Sequence, residues 1–359
     1  MPMVHAALMV ALLSASPAIA QKTASSVPTD GVLRHFAIGG AGGWDYLAVD
    51  SAQHRLYVSR GDRVIVLDTG NGKPVGEVLN TPGVHGIALA PALHVGFTSN
   101  GKANSVTVFN LKTLKSLGDV KLDASNPDAI LYDSSTHRVI TFNGRSHNAT
   151  VIDAIKRTVV GNIALDGTPE FGVSDGNGRV FVNIEDKDEL TAIDPKTAKV
   201  VATWSLGDCE EPSGLALDAV HHRLFSVCQN RRMVVTDSNS GKRVAAVPIG
   251  AGPDAAAFDA AHRLAFSSNG EDGTITVVHA DDADHYRVVA TIPTQKSART
   301  MALDDATHRI YLAAATFGPL PPDAPAHTRL PMDKDSFTVL EVGDGGVVAH
   351  EQKHNLGQH

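Results

Sequence analysis

Apolar residues in this chain come in short bursts separated by turn residues, and the bursts recur in step. A phrase of alternating polar and apolar positions ending in Asp, then a short turn, then His-Arg and three apolar residues, can be laid on the chain seven times. The copies end at Asp50, Ala90, Asp133, Asp175, Asp218, Asp259 and Asp304, about 40 to 45 residues apart. A period of roughly 40–50 residues built from short strands is what a β-propeller leaves in a sequence. The pattern therefore predicts an all-β chain: a seven-bladed β-propeller with four antiparallel strands per blade.

The fifth copy shows how one blade is parsed from alternation and turn residues. Ser213 to Leu217 reads as the inner strand and Arg223 to Val227 as the second. Met233 to Asp237 is the third, and Lys242 to Val247 the outer strand after a turn at 238–241. The ends of the array predict how the ring closes. Val32 to Ile38 has the pattern of an outer strand but precedes the first inner one, while after Val342 only a mostly polar tail remains. The N-terminal strand is thus expected to complete the last blade beside Phe337 to Val342, pairing an edge that would otherwise stay open. The predicted organisation is a signal peptide over 1–20, a flexible segment over 21–31, the propeller over 32–343 and a disordered tail over 344–359.

The first twenty residues differ in kind. Ala6 to Leu13 is an apolar run, and Ala18-Ile19-Ala20 supplies the small-x-small pattern of a signal-peptidase site, although the preceding segment holds no Lys or Arg. The run falls short of the ~20 apolar residues that span a bilayer. Export as a soluble protein to the periplasm or medium is the expectation, with no membrane span. Two cysteines, Cys209 and Cys228, suit one disulfide in an exported chain, two buried thiols being the alternative. The former lies just before an inner strand and the latter ends the strand that follows. Charge narrows the partners: 31 Lys+Arg stand against 39 Asp+Glu with no basic, aromatic-rich stretch, which argues against nucleic acid. A monomer is expected.

Several phrases carry a family likeness. They are the x-Pro-Asp/Glu starts (Asn126-Pro127-Asp128, Thr168-Pro169-Glu170, Gly252-Pro253-Asp254), the strands Tyr57-Val58 and Phe181-Val182, and the Asn-Gly strand ends at 100–101, 143–144 and 269–270. With them the stretch from Val32 to Val342 resembles the YVTN-type propeller repeat family, the YncE-like proteins. Trp-Asp dipeptides are missing from the third strands, which separates the chain from the WD-repeat class. The resemblance implies a seven-bladed, usually exported propeller, and no single agreed activity.

Two polar columns are candidates for chemistry. His54, His94, His137, His222, His262 and His308 recur at the turn before the second strand, and repetition at one address points to a structural job rather than a metal site. The second column sits one residue into each inner strand: Asp45, His85, Asp128, Glu170, Ser213, Asp254 and Arg299. Apolar residues would be expected there if the position were core. These strand starts share a face with the loops between second and third strands, which add Arg60, Asn100, Arg145, His147, Glu185, Gln229, Arg231 and Glu271. Convergent polar groups in a concavity form a binding-site hypothesis. The predicted ligand-binding set on this funnel face is Asp45, His85, Asp128, Glu170, Asp254, Arg299, Asn100 and Arg145. Oxygen donors of this kind suit a divalent cation as cofactor, although Arg299 lets the carboxylates pair internally.

The last blade carries a long Pro-rich excursion between Ala315 and Ser336, readable either as a lid over the funnel or as a solvated loop. No nucleophile elbow, phosphate loop or dinucleotide fingerprint occurs. Two functions remain: a non-enzymatic propeller binding a small polar ligand or a periplasmic protein at its funnel, and a metal-dependent hydrolase similar to the gluconolactonase-type propellers.

Overall fold

The computed structural model describes residues 31–320 and 330–344. The expected signal peptide, all but the last residue of the 21–31 segment and all but the first of the 344–359 tail lie outside the described residues.

Seven four-stranded antiparallel sheets follow one another along the chain. In the first, Leu47–Asp50 is innermost, followed outward by Arg55–Arg60, Arg63–Asp68 and Pro74–Leu79. The fifth comprises Pro212–Asp218, Arg223–Cys228, Arg232–Asp237 and Arg243–Pro248, within a residue or so of the sequence reading. Middle strands bury nearly every residue, because each blade is covered on both faces by its neighbours. Outer strands such as Pro74–Leu79 and Ser116–Lys121 bury only one residue each, Val78 and Val120, and show the rest to water. That gradient explains why the second and third strands read as continuous apolar runs while the fourth reads as polar.

The ring closes as expected. Val32–Ala37 pairs antiparallel with Thr338–Val342, in a blade whose inner strands are Met301–Asp304 and Arg309–Ala314. The Arg34 guanidinium binds the buried Glu341 carboxylate across this seam. Arg60 secures the link from the closing strand to the first blade. It is fully buried, its NH2 reaches the Gly39 and Gly40 carbonyls at 3.1 and 2.8 Å, and its NH1 binds the Gly42 carbonyl. Its guanidinium lies 3.9 Å over the Phe337 ring. Arg60 therefore points into the seam and not into the funnel where its loop position had placed it.

The recurring turn histidines do a backbone job. His54, His94, His137, His222 and His308 adopt left-handed φ between 53° and 57°, a region where His is tolerated better than most residues. The carbonyls of His54, His94, His137 and His222 receive the N–H that follows the third strand, from Thr69, Leu111, Ala154 and Ser238. In the sixth blade this address belongs to Arg263, φ 56°, whose carbonyl binds Ala280 N–H. His262 lies one residue earlier, so its grouping with the other five is corrected here. Cys209 and Cys228 form the expected disulfide, buried between the fourth and fifth blades.

Candidate funnel site

The inner strands are built to turn one residue out of the ladder. In five blades the pairing shifts at the strand start, between Val84 and Ile87, Pro127 and Ile130, Pro169 and Gly172, Pro212 and Leu215, and Pro253 and Ala255. Bulges re-aim side chains, and His85, Asp128, Glu170, Ser213 and Asp254 all sit inside them. Proline suits the position because its missing N–H leaves no ladder bond unmade. Hydroxyls and amides of the preceding blade hold the backbone at these strand starts, including the unbulged one of the last blade. Ser99 Oγ donates to the Asp128 carbonyl, Ser268 Oγ to the Arg299 carbonyl, and Asn183 Nδ2 to the Ser213 carbonyl at 2.9 Å. The Asn-Gly phrases find part of their reason here: a Cβ on Gly101 would lie 2.7 Å from His85 Nε2, and one on Gly270 2.7 Å from Arg299 Cβ.

Within the channel the charged groups form a chain. Arg299 NH1 binds Asp254 and its NH2 lies 3.5 Å from Asp45 Oδ1. His85 Nδ1 is 2.7 Å from Asp45 Oδ2 and 3.5 Å from Asp128 Oδ1. The Glu170 carboxyl lies beyond that chain, within electrostatic reach of Glu185. Charge along this chain is lopsided: the carboxyls of Asp45, Asp128 and Asp254, with Glu170 and Glu185 beside them, accompany the Arg299 guanidinium and the His85 imidazole.

The protonation states follow from that imbalance. Burial, reinforced by the charges of Asp128, Glu185, Asp254 and Asp45, pushes Glu170 up to about 9. Asp128 rises to about 6, through burial first and the Asp45 charge second. Asp254 is raised by burial although Arg299 opposes the shift. For His85, burial disfavours the cation, but the hydrogen bond to Asp45 and the charge of Asp128 outweigh it and raise its pKa. Near neutrality Glu170 thus carries a proton, a carboxyl held uncharged by burial and by the negative charge around it.

Tyr46, which the sequence reading passed over, lies at the centre. Its pKa is driven well up by burial and then by Asp128, Asp45, Glu170 and Asp254, so its hydroxyl senses all four carboxylates. Its ring meets Phe171 of the fourth blade, centroids 5.4 Å apart. Both stand one residue deeper than the charged slot. The equivalent positions elsewhere are Gly86, Ala129, Gly214, Ala255 and Thr300, and aligning the repeats on that column would have exposed the two aromatics among small residues.

The remaining expected residues divide. Ser213 is buried, its Oγ bonded to the Pro253 carbonyl. Arg145 stands exposed in the short turn Gly144–Ser146 on the funnel face. Asn100 is corrected: it is fully buried, and its Nδ2 donates to Ser105 Oγ at 3.3 Å and Thr107 Oγ1 at 2.8 Å. Its amide is spent inside its own blade, as are those of Asn143 and Asn269.

Beside Arg299 a cavity of about 800 Å³ opens between the last and first blades, lined by Trp44, Phe317, Leu330 and Met332 among others. Trp44 packs between Phe317 and Phe337, at 5.9 and 5.2 Å, and its buried Nε1 has no hydrogen-bond partner among the described residues. The stem of the Pro-rich excursion forms this wall: Phe317 pairs with Met332, and Gly318 N–H donates to the Pro331 carbonyl at 2.9 Å. Residues 321–329, the tip of the expected lid, lie outside the described residues.

A blade-by-blade ring of this kind defines a seven-bladed β-propeller. Among solved structures the chain is similar to that titled Kuenenia stuttgartiensis Hydrazine Synthase, with TM-score 0.64 and 16% identity over 81% of this chain and 95% of that one. At that identity the likeness bears on fold alone. No protein-family model matches the chain, and no curated protein does.

Proposed function

We propose that this is an exported propeller whose funnel binds a small organic cation, an ammonium or guanidinium group carried on a compact apolar body. The observation that carries the reading is Glu170, a channel carboxyl raised to about 9 by burial and then by the charges of Asp128, Glu185, Asp254 and Asp45. A ligand cation placed near Glu170 and Asp128 would supply the charge that Arg299 and His85 supply to Asp45 and Asp254. The apolar wall of Trp44, Phe317 and Met332 offers a surface for the rest of the molecule, and an aromatic ring also favours a nearby cation. Export is supported by the apolar run over 6–13 and by the disulfide. The likeness to YVTN-type repeats is consistent with that destination.

A second reading, a metal-dependent hydrolase, has one observation in its favour. Ligand atoms of Asp45, His85 and Asp128 all lie within 4.8 Å of one another. A cation there would compete with the His85 proton for the same carboxylates, and it could polarise an ester or lactone carbonyl.

A thermal-shift panel separates the readings. It would compare 1,4-diaminobutane, butylguanidine, their uncharged alcohol counterparts, and Ca²⁺, Mg²⁺ and Zn²⁺ on chelator-treated protein. Organic cations should raise the melting temperature and the alcohols should not. Stabilisation by a divalent ion alone, lost in Asp128→Asn, would favour the hydrolase reading instead.

A further inference from the structure

On the face opposite the funnel, where inner strands end, two imidazoles from different blades converge on one oxygen. Asp259 closes the strand Pro253–Asp259, and its Oδ1 accepts the N–H groups of Ala261 and His262 at 3.0 and 3.2 Å. Its Oδ2 is approached by His262 Nδ1 at 2.7 Å and by His308 Nδ1, from the last blade, at 2.9 Å. The two rings stand nearly perpendicular, 4.3 Å apart. The carboxylate is buried, while the imidazoles are 23% and 32% exposed.

We propose that Asp259, His262 and His308 form a binding site for a borderline transition ion such as Zn²⁺, a staple between the sixth and seventh blades. Three potential ligand atoms lie within 4.8 Å of one another, and two imidazoles with one carboxylate are a donor set that such ions favour over Ca²⁺ or Mg²⁺. Bonds of about 2.0–2.1 Å in a tetrahedral site put ligand atoms about 3.3 Å apart. The imidazoles would thus retreat from Asp259 by about half an ångström, and their exposed edges leave room for it. Water or Asp305 would complete the shell.

Arg263 and Arg309 follow the two imidazoles in sequence, but Arg263 NH1 donates to the Asp281 carbonyl and Arg309 lies 4.0 Å from Glu341, so neither is bonded to the aspartates of the site. Asp304 is buried and its Oδ2 has no hydrogen-bond partner. Asp305 lies within electrostatic reach of Asp259, Asp304 and His308. Among the described residues, no lysine or arginine forms an ion pair with any of the three aspartates. The preceding seam provides an internal comparison. Asp218 receives His221 Nδ1 at 2.7 Å in the same way, but the slot that holds His308 in the last blade is filled there by Arg263. Among the described residues, only the sixth seam brings a second imidazole to the aspartate.

The test is equilibrium dialysis of Zn²⁺ against chelator-treated full-length protein in which tail residues His350, His354 and His359 are replaced by Gln. One equivalent should bind, and the absorption of Co²⁺ substituted for it should report a tetrahedral site. His262→Gln with His308→Asn should weaken zinc by at least about tenfold, Asn being chosen because it tolerates the left-handed backbone at 308. That pair also loses hydrogen bonds to Asp259, so the deciding quantity is the rise in melting temperature that zinc causes: present in the parent, absent in the pair. His221→Gln should leave zinc binding unchanged. No stoichiometric zinc, zinc retained by the His262/His308 pair, or zinc lost in His221→Gln would each overturn the proposal.

Discussion

The rings of Tyr46 and Phe171 meet across the channel, although the first and fourth blades that carry them share no seam. Tyr46 packs against the apolar cluster shared by the third and fourth blades, so a strand on one side of the ring is tied to the wall on the other. Both aromatics stand one residue deeper than the charged slot, which gives the carboxylates an apolar floor. That floor raises the cost of unpaired charge above it and so contributes to the displaced titration of Glu170 and Asp128.

Phe171→Ala removes half of this contact. The side chain is half-buried, so the expected loss is roughly 1–3 kcal/mol, below the range for a fully buried Phe. Urea unfolding monitored by fluorescence would measure it. Unchanged stability, together with an unchanged Glu170 titration, would mean that the floor contributes nothing.

Stability should fall as pH rises through the neutral range. Glu170 and Asp128 both hold protons in the native protein at pH values where the unfolded chain has lost them. Their contribution is complete below about pH 4 and is lost as pH climbs through about 6 for Asp128 and about 9 for Glu170. Glu170→Gln carries no such charge, so it should melt above the parent at pH 8 and close to it at pH 4. Melting curves of both proteins across that range test the sign. A parent that gains stability from pH 6 to 9 relative to the variant contradicts it.

Arg60→Met should be costly despite its distance from the funnel. The change removes charge-assisted bonds to the carbonyls of Gly39, Gly40 and Gly42 and the contact over Phe337. A loss of about 2–4 kcal/mol is expected. Lysine should not rescue it, because a single ammonium cannot reproduce the planar fork. Chemical denaturation of the two variants, with equal and near-parental midpoints, would show that the link to the first blade does not need this anchor.

Closure predicts an asymmetry between the chain ends. Deleting Val32 to Ile38 strips the outer strand from the last blade and exposes the Thr338–Val342 edge, whereas deleting 345–359 removes none of the strands among the described residues. The first truncation should lower the melting temperature by many degrees and promote association through the open edge. The second should leave it near that of the parent. Equal melting of the two, by calorimetry and light scattering, would contradict this closure.

The fold was legible because each blade states its identity several times over. Burial on both faces makes the middle strands apolar, the Asp and His turn punctuates them, and an unpaired strand pattern at Val32 has nowhere to go but the last blade. The charged column was legible for a related reason: polar residues recur where a core would be apolar. What the sequence conceals is direction. Arg60 and Asn100 occupy funnel-side addresses, yet one turns into the closing seam and the other into its own blade. A rule of spacing assigns an address, while the neighbouring backbone decides where the side chain goes. Tyr46 escaped notice because an aromatic beside a charged slot looks like ordinary core until its partner across the ring is known. His262 was misassigned because a single residue of difference in the sixth turn moved the left-handed position to Arg263.

Proton release on cation binding tests the central claim most directly. Butylguanidine keeps its charge over the whole working range, so any proton exchanged at pH 7.5 comes from the protein. Calorimetric titrations in two buffers of different ionisation enthalpy would count those protons. The account predicts binding with net release from the parent, tighter binding as pH rises towards 9, and loss of the released proton in Glu170→Gln. Binding with no proton released, or binding unchanged by Glu170→Gln together with Asp128→Asn, would contradict it.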